Sequence, residues 1–392
     1  MTQPKVYFRR PGRQTMGDSS RWTELVLVRR RNDVSRWTLT TSDPEDAASL
    51  SPILDTSGRI IERRGVVIRK GDLTLASGWC ETEPRQDSDG TKRMWTFSGW
   101  DDTVLMADAL CLPKPSAPIT AQTDAYHVTS GHRSDRIRTY FTANVVTRLG
   151  IPGTNGGVPL ALGQTGVSRA RMRSVLEVSQ EIAGRQVNFR VIQRASDRAL
   201  FLEQWAPRDL RRRVQFTPVN ETVKGWSYVP SPGDGTRAIV GAADAKSARP
   251  FRSYVDVDAE AEWGGLRKIE RFLDRGDLDP EENPTWEDEA EQDALDFLAE
   301  GRARASFTVD ITGGPDYGTA WDVGDLVRAY IDVDANGRPI GVVDDVIEQA
   351  TVTWNEQGEH AQVSIGTEDS PQLRTARDVR ALRRRIGKLE AR

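Results

Sequence analysis

Glu24-Leu25-Val26-Leu27-Val28-Arg29-Arg30, then Asn32-Asp33, then Arg36-Trp37-Thr38-Leu39-Thr40-Thr41 is the stretch that decides the fold class. Two runs rich in aliphatic, β-branched and aromatic residues flank an Asn-Asp turn, which is the pattern of a strand hairpin. Working outward, Gly65–Lys70, Leu73–Glu83 and Thr91–Gly99 repeat the pattern, with 87–90 as a further turn signal. The first hundred residues therefore predict an antiparallel barrel or sandwich. Asp101–Leu110 has Val104, Leu105 and Ala109 at helical spacing and runs into Pro113, Pro115 and Pro118, which predicts a helix and then a domain boundary.

The second segment changes character. Ser134–Leu149 and Ser168–Ala183 have helical periodicity around a glycine-rich loop, 150–166, and strands are expected at Gln186–Gln193 and Arg198–Trp205. Beyond Val214 the pattern returns to β, interrupted by one acidic helix over Trp286–Arg302 that Thr285 is placed to cap. The last runs, Leu326–Val333, Pro339–Val346, Ala350–Trp354 and Ala361–Ile365, alternate and are joined by short turns, which predicts a small closed barrel. After Pro371 a basic stretch places Val379, Leu382, Ile386 and Leu389 at steps of three, four and three, a heptad seam suited to folding back or to self-association. The expected fold class is α+β, mainly β: two small β-barrel-like domains (1–112 and 214–370) flank an α+β domain (113–213), with a C-terminal helix (371–392).

Composition bounds the function. The chain has 392 residues, 37% hydrophobic and 29% charged, enough for two or three domains with cores. No apolar run approaches the roughly 20 residues of a membrane helix, and no apolar segment follows the basic N-terminus as a secretory signal requires. A net charge of −4 provides little field for holding phosphates, so stable nucleic-acid binding is not expected. Cys80 and Cys111, the only cysteines, exclude a disulfide framework and a four-thiolate zinc site.

No catalytic, cofactor or metal residue is assigned. His127, His132 and His360 are scattered, and no nucleophile elbow, phosphate loop, zinc motif or dinucleotide fingerprint is present. Asp332-Val333-Asp334-Ala335-Asn336-Gly337 copies the start of a calcium loop, but Val343 stands where the bidentate glutamate belongs, so a hairpin turn is expected. The acidic block 277–300 holds eleven carboxylates and no Lys or Arg, read as a solvated face or as a wall that repels passing DNA. Trp22, Trp37, Trp79, Trp95 and Trp100 lie in or beside expected strands and are assigned to core or interface.

The order of these features resembles the minor tail or baseplate hub proteins of siphophages infecting actinobacteria. The resemblance rests on Leu25–Asn32 with Trp37-Thr38-Leu39, leading to a helical turn at Pro44–Leu50, and on Ser77-Gly78 with Phe97-Ser98-Gly99-Trp100-Asp101-Asp102. It continues through Tyr126–Gly131, with a helix ending at Asn144, and through Arg171–Glu177, Trp205–Leu210 and Val214–Thr217. It closes on Ile269–Asp277, where Arg271 and Asp274 would pair along a helix face, and on Trp321-Asp322-Val323-Gly324-Asp325-Leu326-Val327. The resemblance implies a non-enzymatic homotrimer at the virion tail tip, assembled in the host cytoplasm. It would contact the distal tail protein, the tape measure protein and other tip proteins, and would let phage DNA pass without specific binding. His127 becomes a framework residue; the basic C-terminal helix is less typical of the family, and its seam Val379, Leu382, Ile386 and Leu389 is assigned separately to locking the threefold or docking the next tip protein. The alternatives are a peripheral glycan-binding tail protein and, third, a tail-associated cell-wall hydrolase.

Overall fold

The computed structural model describes residues 3–366 apart from 20, 82–84, 87–93, 155–159, 195–197, 218–222, 232, 234, 244–248, 282, 302–303, 313–315 and 334–338. The seam Val379, Leu382, Ile386 and Leu389 lies outside the described residues, as does the tip of the calcium-loop copy.

In chain order the first segment contains β1 (Lys5–Arg9), β2 (Thr15–Ser19), β3 (Trp22–Arg30), β4 (Arg36–Thr41), α1 (Pro44–Leu50), β5 (Ile53–Leu54) and β6 (Ile60–Glu62). It continues with β7 (Gly65–Lys70), β8 (Leu73–Cys80), β9 (Arg85–Gln86), β10 (Trp95–Asp101) and α2 (Val104–Asp108). The middle segment has β11 (His127–His132), α3 (Arg133–Phe141), a π-helical turn (Thr142–Thr147), β12 (Gly153–Thr154), β13 (Thr165–Ala170), α4 (Val175–Ala183), β14 (Asn188–Gln193) and β15 (Leu200–Trp205). The last part has β16 (Gln215–Phe216), β17 (Val223–Ser231), β18 (Arg237–Gly241), β19 (Phe251–Val255), α5 (Val257–Glu262), β20 (Glu270–Asp274) and α6 (Trp286–Gly301). It ends with β21 (Arg304–Thr312), β22 (Leu326–Val333), β23 (Pro339–Asn355) and β24 (Gly358–Ile365).

The fold is α+β and mainly β, as the patterning predicts, but the sheets are open and the small closed barrels are not formed. One fourteen-stranded sheet runs β17-β21-β24-β23-β3-β4-β10-β8-β7-β1-β2, with β22 and β16 branching from β23 and β9 from β10. The joint is β3 against β23, where Leu25 faces Trp354 and Leu27 faces Val352 in antiparallel register. The physical reason is edge pairing: two strands that would otherwise leave backbone groups unpaired satisfy each other, and neither set of strands closes on itself. The expected strands Pro339–Val346 and Ala350–Trp354 are one 17-residue strand. Its first half pairs with β22, and a bulge at Ile347–Gln349 turns the second half onto β24 and β3.

Alternation along β3 sends Leu25, Leu27 and Arg29 to the core face. That core draws on both ends of the chain, with Trp37, Trp321 and Trp354 fully buried beside Val6, Phe97, Phe307 and Val363. A second core, around Ile137, Tyr140, Phe141, Val175, Phe189 and Leu202, belongs to the middle segment. A third packs α6, through Trp286, Ala290, Ala294 and Leu298, on Ala238 and Val240 of β18.

Three helical expectations change. In Ser168–Ala183 the first residues form β13, paired with β11, because Met172 takes a left-handed conformation and breaks the segment. The helix begins only at Val175, where Ser174 Oγ accepts from Glu177 N at 3.1 Å. Around Arg271 the chain is β20, parallel to β18. Residues three apart on a strand face opposite ways, so Arg271 does not meet Asp274, and Asp274 pairs with Arg249 instead. Thr285 Oγ1 donates to Asn283 Oδ1 at 2.9 Å rather than accepting from the first turn of α6.

Candidate functional site

The carboxylates in the two sharpest sequence motifs are buried, and each is matched by a guanidinium from a distant segment. Asp102, at the end of β10, receives both Arg9 nitrogens at 2.6 and 2.8 Å with both side chains at 0% exposure. Ser77 Oγ donates to Asp102 at 2.5 Å and accepts from Gln193 N at 2.7 Å, while Arg9 also donates to Gln193 Oε1 at 3.1 Å and lies 4.3 Å above the Trp79 ring. One aspartate thus ties β1, β8, β10 and β14 together.

Asp101, beside it, accepts from Ser35 N at 3.1 Å and from Arg29 at 3.3 Å. Burial pushes its pKa up to about 6, against the lowering pull of Arg29. The folded state therefore binds this proton more tightly than the unfolded state, whose carboxyl titrates near 3.8. Stability attributable to Asp101 is full below about pH 4 and falls as pH rises to about 6, where it levels. Denaturation midpoints across this window should show that slope in the native chain and not in Asp101→Asn, after subtraction of one curve from the other. Parallel curves would show that Asp101 titrates like an ordinary carboxyl.

The second motif works alike. Asp322 accepts from Tyr317 Oη at 2.9 Å and from Arg190 at 3.4 Å, and Arg190 also reaches Glu203 at 2.5 Å. Asp325 holds Arg208 in a two-point contact at 2.5 and 2.8 Å and accepts from Asp322 N at 2.7 Å. Asn188 Nδ2 donates to Gly324 O at 3.0 Å and its oxygen accepts from Arg31, so the β3–β4 turn, β14 and the start of β22 meet at one amide. Asn32, in that turn, donates to Val187 O and accepts from Phe189 N at 2.9 and 2.7 Å. Saturated, buried and paired, these aspartates are suited to hold a frame, and none has the free geometry of a general acid or base.

The histidines are likewise built in. His127 packs edge-on to Tyr140 at 4.8 Å, and Tyr140 Oη donates to His127 O at 2.8 Å and to Ser168 O at 3.0 Å. Burial lowers the imidazole pKa, so the ring is neutral at neutral pH. It borders a shallow hollow with Pro115, Ser116, Arg138, Thr139 and Thr142. His132 Nδ1 contacts Gly163 O at 2.8 Å. Asn144 lies in the π-helical turn, where Oδ1 accepts from Leu112 N at 3.1 Å. Cys80 and Cys111 are separate buried thiols, and burial pushes Cys111 up to about 12, which leaves it protonated and unreactive. The calcium-loop copy is flanked by paired strands, with Val333 opposite Pro339.

Of the tryptophans assigned to core or interface, Trp22 and Trp37 are buried and Trp79, Trp95 and Trp100 are half-buried. The acidic block is less a bare wall than its sequence suggests. Arg275 meets Asp277 and Asp293, and Glu287, Glu289 and Asp296 meet Arg252, Arg169 and Arg133. Glu281, Asp288 and Glu291 face solvent. No sequence signal pointed to Arg9, Arg190 or Arg208 as the partners of the motif aspartates.

Crystallised tail proteins share the fold. A 43 kDa tail protein of prophage MuSo2 from Shewanella oneidensis is 12% identical with a TM-score of 0.52, covering 92% of this chain and 98% of its own. A tail protein from Neisseria meningitidis MC58 is 11% identical at 0.52, covering 93% and 97%. Prophage tail protein gp18 from Listeria monocytogenes EGD-e is 10% identical at 0.51, covering 97% and 100%. No curated protein sequence matches. The family profile described as Siphovirus ReqiPepy6 Gp37-like protein matches residues 9–367, and the chain belongs to that family. It is thus a virion-associated protein of a structural tail family, and none of the described helices is long and apolar enough to cross a membrane.

Proposed function

We propose that the chain is the hub subunit of the tail tip, a homotrimer that closes the tail tube and opens for DNA passage, in contact with the distal tail and tape measure proteins. The observation that carries this reading is the open sheet built from both ends of the chain. Its path ends in two edges, β17 and β2, far apart in strand order. A ring requires two different complementary surfaces on each subunit, and edges that are unpaired among the described residues, at opposite ends of one sheet, supply such a pair. The saturated aspartates support a load-carrying rather than a catalytic body. Light scattering of the purified chain should give three times the 43.7 kDa protomer mass. A chain ending at Ser370 should keep that mass if the body makes the contacts. A monomer at both lengths, at concentrations well above those of the virion, counts against the ring.

A further inference from the structure

Residues 235–301 form a module inserted between β17 and β21, and among the described residues its sheet is covered on one face only. The strand order is β19-β18-β20, with β18 antiparallel to β19 and parallel to β20. Ala238 and Val240 face α6, while the register puts Ile239 in line with Ser253 and Phe272, and Arg237 with Val255, on the opposite face. That face carries an open apolar patch among Arg237, Glu270 and Asp274: Phe251 is 52% exposed, Phe272 53% and Val255 42%. The two phenylalanine rings lie 6.2 Å apart with the Arg249 guanidinium over both. Sheets with parallel pairing are ordinarily buried on both faces. A third layer is missing here.

Three observations point to one occupant. First, β24 leaves the main sheet beside the module: Ile365 is opposite Phe307, three residues from Arg304, where the module rejoins β21, and Ser231, where it departs, is opposite Arg304. The residues from 366 to 378 span up to about 40 Å when extended, enough to cross three strands about 5 Å apart. Second, the seam from Val379 to Leu389 covers about 15 Å as a helix, the length of a five-residue strand. Third, long-range charge draws the segment to the module as a whole: 235–301 holds eighteen Asp and Glu against eight Lys and Arg, the excess lying in 277–300 behind the sheet, while 371–392 holds eight Lys and Arg against two Asp and Glu.

We propose that residues 371–392 dock as a helix on the outer face of the chain's own β19-β18-β20 sheet, seating Val379, Leu382, Ile386 and Leu389 against Phe251, Val255 and Phe272. The module then becomes a three-layer unit, with helices on both faces of its sheet. This inference does not depend on the trimer. Hydrogen exchange of the full chain tests it. Amides 379–389 should exchange about tenfold or more slower than a free helix. Phe251→Asp with Phe272→Asp should abolish that protection, while β18 stays protected and the solution mass is unchanged. Should the aspartates unfold the module, Phe251→Ala with Phe272→Ala makes the same test. Unprotected amides in the native chain overturn the proposal, as does protection that the face variant leaves intact, which would mean that the seam pairs with itself. A fall in mass with the face variant overturns docking on the same chain, because the segment would then be bridging copies.

Discussion

Asp102→Ala should lower the unfolding free energy by about 3–5 kcal/mol, because it strands a guanidinium that has no access to water. Arg9 and Asp102 are both fully buried, and no other carboxylate is within ion-pairing distance of Arg9 among the described residues. Removing one partner leaves the other with the whole desolvation cost, whereas removing both leaves a packing defect and the loss of one neutral-group hydrogen bond each at Ser77 and Gln193. Arg9→Leu with Asp102→Leu should therefore be less damaging than Asp102→Ala alone. The exposed pair Lys5 and Asp18 provides the contrast: at 3.3 Å in solvent, Asp18→Ala should change stability by less than about 1 kcal/mol. Chemical denaturation of the four chains measures these differences. Equal effects of Asp102→Ala and Asp18→Ala would remove the buried pair from the framework.

Gly99→Ala should cost about 3 kcal/mol or more, and for a different reason. At the crossing of β8 and β10, Gly99 is paired with Cys80 and Gly78 with Asp101. A Cβ on Gly99 would overlap the Trp79 carbonyl oxygen and come within 2.9 Å of the Trp37 ring, and one on Gly78 would overlap the Trp100 carbonyl oxygen. These obstacles are backbone atoms and a fully buried indole, which cannot turn aside as a flexible side chain can. Gly17→Ala, in the exposed edge strand β2 with nothing within 4 Å, should be within about 0.5 kcal/mol of the native chain. Melting temperatures of the two variants test this directly, and a Gly99→Ala chain as stable as Gly17→Ala would show that the two strands can separate without cost.

Much of the fold was legible because strand patterning is local. Arg36–Thr41 and Leu326–Val333 occur with the bounds their alternation predicts, since a half-buried strand displays its buried face at every second residue, and Gly65–Lys70 keeps its bounds as a run buried on both faces. The errors have non-local causes that pattern conceals. Ser168–Ala170 reads as the start of the helix expected to run to Ala183, yet these residues belong to a strand that pairs with β11, because a neighbour in space and not their own periodicity satisfies their backbone. The Ile269–Asp277 stretch became a strand for the same reason, held parallel to β18 across an intervening hairpin and helix.

The motif aspartates show where the division falls. Trp100-Asp101-Asp102 and Trp321-Asp322-Val323-Gly324-Asp325 enter the sequence reading as landmarks of the family resemblance, with no catalytic role assigned to them. That the chain is mainly β, carries a mild net charge and has no recognised catalytic motif, the sequence by itself determined, and the order of its motifs carried the resemblance to a tail family. Which arginines neutralise the motif aspartates, that the two ends of the chain share one open sheet instead of closing two barrels, and that the 235–301 module leaves a face uncovered among the described residues, only the tertiary structure decided. The reason is physical. Alternation and turn chemistry act over a few residues, whereas desolvated charge pairs and strand-edge pairing are satisfied by groups that may be 93 or more than 300 residues away, as Arg9 is from Asp102 and Leu25 from Trp354.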